Sequence, residues 1–146
     1  MADISGTSEG SNMHNQASKA AVILVVDDDA LINMNAVDMV EQLGHTALEA
    51  YSGAEALTIL GSQQTVDLLI TDYAMPGMNG VELANQARQL RPDLPIVLAT
   101  GYSELPEGIE IDLPRLPKPY QQSDLANHLM VLLNERAPAN AGSAQA

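Results

Sequence analysis

The chain has 146 residues, enough for one domain with its own core and too few for two ordinary ones. Its formal charge of −13, with only six Lys and Arg spread along the length, leaves no basic face to neutralise a phosphate backbone, so direct nucleic-acid binding is not expected. Cysteine is absent, which excludes disulfides and thiolate metal sites, and no apolar run approaches the roughly 20 residues needed to cross a bilayer. With a polar start unlike a secretory signal, these features predict a cytoplasmic protein without membrane association.

Residues 1–19 and 137–146 lack periodicity and bulky apolar groups, so both are expected to be disordered tails around a folded unit of residues 20–136. Phe and Trp are missing, so the core must be built from Leu, Ile, Val, Met and Ala. Val22 to Val26 is a continuous apolar run, the pattern of a strand buried on both faces, and it stops at Asp27, Asp28 and Asp29. Ala30 to Leu43 reads as a helix with Ile32, Ala36, Met39, Val40 and Leu43 on one face and Gly44 as a left-handed stop. A weak strand around Thr46 to Glu49 follows, then a helix capped by Ser52 and carrying Ala54, Leu57, Ile59 and Leu60.

Val66 to Thr71 is a third strand, again ending at an aspartate, Asp72. Tyr73 to Gly80 contains Pro76, Gly77, Asn79 and Gly80, which is loop chemistry, and Val81 to Leu90 resumes a helical period. Ile96 to Thr100 is a fourth strand. Pro106 and Gly108 interrupt the stretch Gly101 to Ile111, so a fourth helix there should be short or irregular. A short fifth strand near Pro114 to Leu116 leads into Lys118 and Pro119, and a last helix places Leu125, Leu129, Leu132 and Leu133 on one side. Five short apolar runs alternating with about five helical stretches predict an α/β domain with a parallel sheet.

In an open parallel sheet, ligands bind beyond the carboxyl ends of the strands, and right-handed crossovers keep those ends on one edge. The unusual polar residues all sit there: Asp27 and Asp28 after the first strand, Asp72 after the third, Thr100 at the end of the fourth and Lys118 after the fifth. Crowded carboxylates repel unless a cation neutralises them, and a donor set of oxygens alone suits a hard ion such as Mg²⁺ or Mn²⁺. Lys118 could pair with a carboxylate at rest and with a phosphoryl oxygen after reaction, with the Thr100 hydroxyl donating a further hydrogen bond. A carboxylate attacking phosphorus gives an acyl phosphate, with catalysis arising from positioning and charge neutralisation.

Val25-Val26-Asp27-Asp28, the loop Asp72-Tyr73-Ala74-Met75-Pro76-Gly77-Met78-Asn79-Gly80, Thr100-Gly101 and Lys118-Pro119 occur in the order of the motifs of bacterial response-regulator receivers, and the chain resembles that CheY-like family, in its single-domain type, over nearly all of residues 20–136. The resemblance implies a flavodoxin-like, doubly wound sheet of five strands in the order 2-1-3-4-5. It implies Asp72 as phosphoacceptor, Asp28 as a direct metal ligand, Asp27 acting mainly through water, and the backbone carbonyl of Ala74 as a further ligand. It also implies Thr100, Gly101 and Lys118 as the phosphoryl-binding and switch residues, and a cis bond at Lys118-Pro119. The implied partners are a histidine kinase or phosphotransfer protein and a downstream protein target.

The chain departs from the family pattern at two places. Arg115 stands three residues before Lys118, where many receivers carry a switch Tyr or Phe, and Tyr102 is the aromatic that could take over part of that role. Ala74 offers no side chain to orient a hydrolytic water, which predicts slow self-dephosphorylation.

Blander readings apply to single residues. Asp29 is a cap or near-cap, His14, His45 and His128 are structural, solvent-facing or in a tail, and Met34, Met39 and Met130 are core filler. An aspartyl-phosphate phosphatase would need a second acid where Ala74 stands, and a nucleotide-binding domain would need a glycine-rich first turn where three aspartates stand. Two alternatives remain inside the family: the receiver portion of a hybrid histidine kinase, and a degenerate receiver serving as an interaction module.

Overall fold

A computed structural model describes residues 20–101 and 112–145. Its strands are β1 (Val22–Val26), β2 (Thr46–Ala50), β3 (Leu68–Asp72), β4 (Ile96–Thr100) and β5 (Arg115–Pro117). The helices are α1 (Ala30–Gln42), α2 (Gly53–Leu60), α3 (Gly80–Leu90) and α4 (Gln122–Gln145). The strands form one parallel sheet in the order β2-β1-β3-β4-β5, the doubly wound arrangement implied by the sequence motifs. The short or irregular fourth helix and Tyr102 lie outside the described residues.

Successive strand residues point to opposite faces, and both faces are covered, which is why the central strands read as unbroken apolar runs. Leu24, Val26, Leu69 and Leu98 pack with Ala56, Leu60, Leu83 and Ala87 on the side of α2 and α3. Ile23, Val25, Ile70 and Val97 pack with Ala36, Val40, Leu125 and Leu129 on the side of α1 and α4. Burying each such Leu, Ile or Val contributes about 1.5–3 kcal/mol, so aliphatic side chains suffice where aromatics are lacking.

The local signals held at most boundaries. Asp29 caps α1 by accepting from the amides of Leu31 and Ile32, Ser52 caps α2, and Gly44 has a φ of +95° just past α1. Two expectations fail. The buried stripe of α1 is Asn33, Ala36, Val37 and Val40, and Ile32 is 40% exposed. One residue is about 100° of helix rotation, and the i, i+3, i+4, i+7 spacing of the buried set fixes the phase. Met34 and Met130 are exposed at 54% and 57%, and of the three proposed filler methionines Met39 packs against the core. The last helix, α4, spans Gln122–Gln145. Leu125 and Leu129 anchor its first turns against the sheet.

Two contacts secure the sheet edge remote from the aspartates. Arg91 donates to the carbonyls of Leu60, Ser62 and Gln64 and so closes the connection that precedes β3. His45 Nδ1 accepts from the Ala21 amide at 3.0 Å, which requires an unprotonated Nδ1, and burial lowers its pKa against the opposing influence of Asp67. Because the unfolded state then binds the proton more tightly, the contribution of His45 is present above its ordinary value of 6.5 and is lost as pH falls through the lowered one. Urea unfolding between about pH 7.5 and pH 5 should show this loss, and His45→Asn, whose Oδ1 can replace the acceptor, should flatten that part of the profile.

Candidate functional site

The sheet register brings the polar strand ends together. Val26 is level with Ala50 on β2 and Thr71 on β3, Asp72 is level with Ala99, and Thr100 is level with Pro117. Asp27 and Asp72 therefore leave adjacent strands, and Lys118 the strand one further on past β4, at nearly one height. Carboxylate oxygens of Asp27, Asp28 and Asp72 lie within 4.8 Å of one another. Asp27 and Asp72 are 6% and 4% exposed, whereas Asp28 is open to solvent. Lys118 Nζ donates to Asp72 Oδ1 at 2.6 Å, a charge-assisted bond that crosses over β4.

Local backbone chemistry holds each group. The Asp27 amide donates to Ala50 O at 3.2 Å, and Asp27 Oδ1 accepts from the Asp29 amide at 2.9 Å. Burial, the largest influence, pushes the Asp27 carboxyl above the ordinary carboxylate range, with Asp28 and Asp29 adding to it and the Asp29 amide and Lys118 opposing it. The Lys118 amide donates to Thr100 O at 2.8 Å, and the Lys118-Pro119 bond is cis, as the motif implied.

The loop after Asp72 is shaped by glycine and a helix cap. Gly77 has a φ of +82°, in the region that disfavours other residues. Asn79 and Glu82 form a reciprocal capping box at the start of α3. A Cβ on Gly80 would collide with Asp72 O and come within 2.7 Å of Leu98 Cδ1, so α3 can approach the Asp72 backbone only without a side chain there.

The predicted residues are distributed unevenly. Asp27, Asp28, Asp72 and Lys118 converge, and Thr100 is 6% exposed at the adjoining end of β4, followed by half-buried Gly101. Ala74 is exposed in the loop two residues beyond Asp72. Arg115 is exposed on β5, and its backbone carbonyl accepts from His128 Nε2 at 2.9 Å.

Sequence reasoning missed two residues. Tyr120, half-buried just past the cis bond, has its phenol pKa raised by burial first and then by the Asp27 charge, so a neutral phenol borders the acids. Asn33, fully buried on α1, reaches the carbonyls at the ends of β1 and β2. Its signal was a lone polar residue in register with Ala36, Val37 and Val40, one turn past the aspartates.

Comparison with known proteins agrees with this geometry. The family model of the response regulator receiver domain matches residues 23–129. This chain belongs to the response-regulator receiver family. The receiver is 34% identical to the response regulator receiver protein CpdR of Brucella abortus over 76% of this chain and 95% of that protein. It is 33% identical to the sensor kinase CckA of the same organism over 82% of this chain, which spans only 13% of that kinase. A CheY-like receiver domain protein from Methanospirillum hungatei superposes with a TM-score of 0.74 at 27% identity, covering 83% of this chain and 99% of that one. Receivers are the phosphoacceptor switches of two-component signalling and interact with histidine kinases or phosphotransfer proteins; this chain is such a switch.

The site fits a divalent cation. The three carboxylates offer oxygen donors only, within 4.8 Å of one another, the donor set and spacing that suit a hard ion such as Mg²⁺ or Mn²⁺. Among the described residues no helix is long and apolar enough to cross a membrane.

Three outcomes follow from this geometry. The raised Asp27 pKa means that native stability is lost as pH rises through it, so Asp27→Asn should raise the unfolding midpoint at neutral pH in chelator. The same substitution should shrink the further rise that Mg²⁺ gives the wild type. Gly80→Ala should cost about 1–3 kcal/mol in urea unfolding, because the overpacked Cβ must displace α3 or the Asp72 backbone.

Proposed function

We propose that Asp72 is the phosphoacceptor of this receiver and that it takes its phosphoryl group from a phosphohistidine on a kinase or phosphotransfer partner. The observation that carries this reading is the 2.6 Å contact between Lys118 Nζ and Asp72 Oδ1 beside the Asp27 and Asp28 carboxylates. A carboxylate oxygen of Asp72 attacks phosphorus, the phosphorus–nitrogen bond of the donor breaks, and the imidazole leaves with that electron pair. Lys118 follows the developing negative charge onto a phosphoryl oxygen, and the Thr100 hydroxyl, beside Gly101, donates to another.

Asp28 and Asp72, the backbone carbonyl of Ala74 and, through water, Asp27 would hold Mg²⁺ or Mn²⁺, which supplies charge neutralisation at the transferring group. The all-oxygen donor set and the spacing of the acids support that assignment. The chain acts as a regulator that catalyses only its own phosphorylation and dephosphorylation. Its output passes to a protein target. Arg115, with no aromatic at its position, favours a readout that differs from the usual aromatic switch, with Tyr102 taking over part of that role.

Incubation with Mg²⁺ and a small-molecule phosphodonor should give one phosphoryl adduct by intact mass. Chelator or Asp72→Asn should abolish it; an adduct that survives Asp72→Asn refutes the assignment. With Ala74 unable to orient water, the adduct should outlast a Mg²⁺-free quench and decay slowly under native conditions, and a lifetime of seconds would contradict that.

A further inference from the structure

Asn33 is the one polar member of the buried α1 stripe and is fully inaccessible to solvent. Its Nδ2 lies 3.0 Å from Ala50 O and 3.2 Å from Asp27 O, ordinary hydrogen-bond lengths, with a marginal approach of 3.4 Å to Val25 O. Carbonyl oxygens surround that end of the amide, so its donor side is fixed, because the reversed amide would set oxygen against oxygen. Among the described residues, Asn33 Oδ1 is the buried side-chain polar atom that lacks a hydrogen-bond partner. An apolar side chain in register with Ala36, Val37 and Val40 would avoid that cost and add to the core. Packing alone therefore does not account for asparagine here.

The geometry points to what the amide does. The Ala50 carbonyl accepts both the Asp27 amide and Asn33 Nδ2, so the ends of β1 and β2 are tied at a single oxygen. The Asp27 carbonyl belongs to the planar peptide that continues into Asp28, and fixing it fixes the direction in which Asp28 leaves. Asp27 is thus held at its amide, its carbonyl and its side chain, and the last two anchors come from α1 and its cap. We propose that Asn33 is a positioning residue: its amide locks the Asp27–Asp28 peptide so that both carboxylates stand ready to share a divalent cation with Asp72. This inference rests on the metal-assisted phosphoacceptor reading above.

The test compares wild type, Asn33→Leu, Asn33→Ser and Val40→Ala. Val40 is fully buried in the same stripe, two turns beyond Asn33 and about three turns from the acids, and serves as the purely structural control. Each folded protein is titrated with Mg²⁺ by calorimetry, and its rate of phosphoryl incorporation from a small-molecule donor is measured at saturating and subsaturating Mg²⁺. Loss of an outer-shell partner typically weakens metal binding roughly 10–100-fold. Asn33→Leu should show a loss of that order, with the incorporation rate falling most at subsaturating Mg²⁺. Asn33→Ser, which retains one donor, should recover part of it, and it carries the comparison if the leucine variant does not fold. Val40→Ala should bind Mg²⁺ like the wild type despite its lower stability. Equal Mg²⁺ affinity in wild type and both Asn33 variants overturns the inference alone, as does a matching loss in Val40→Ala. Wild type that binds no Mg²⁺ overturns the functional reading and this inference with it.

Discussion

Two carboxylates buried beside each other at the sheet edge, Asp27 and Asp72, impose the constraint around which the site is organised. Charges in a poorly hydrated position repel strongly and persist only with compensation. Part of it is visible: Lys118 binds Asp72, and the Asp29 amide binds Asp27. The remainder shows as the raised Asp27 pKa, a cost that a cation would remove.

The strand order makes that compensation available. Lys118 follows the outer strand β5 and Asp72 ends the inner strand β3, with β4 between them. A side chain as long as lysine spans that interval, and the bond from its amide to Thr100 O sets the height from which it reaches. The same bond ties Lys118 to Thr100, whose buried side chain stands at the end of the neighbouring strand. Arg115 lies at the far end of β5 from that contact, exposed, while its carbonyl is held by His128 of α4.

Several features near the acids favour geometry over stability. Asn33 leaves an acceptor unpaired, and Gly80 forgoes helix propensity so that α3 can lie against the Asp72 backbone. Elsewhere the structure is conventionally economical. The remote end is closed by Arg91 on three carbonyls, and the two core layers are made of aliphatic side chains in strict alternation along the strands.

The sequence alone determined the alternation of strands and helices and the identity of Asp27, Asp28, Asp72, Thr100 and Lys118 as strand-end residues. Continuous apolar runs and the capping and stop signals at Asp29, Ser52 and Gly44 are local properties, written in neighbouring residues. Receiver motifs in their proper order then made the strand order legible as well. Tertiary structure decided what depends on rotation and close approach: that α1 buries Asn33 and exposes Ile32, that Met34 and Met130 face outward, and that Tyr120 borders the acids. Helix phase was not legible because α1 offers overlapping apolar stripes one residue apart, and only packing on the sheet selects between them. For the same reason the role of Gly80 emerged only when a second backbone was found in the space its side chain would have filled.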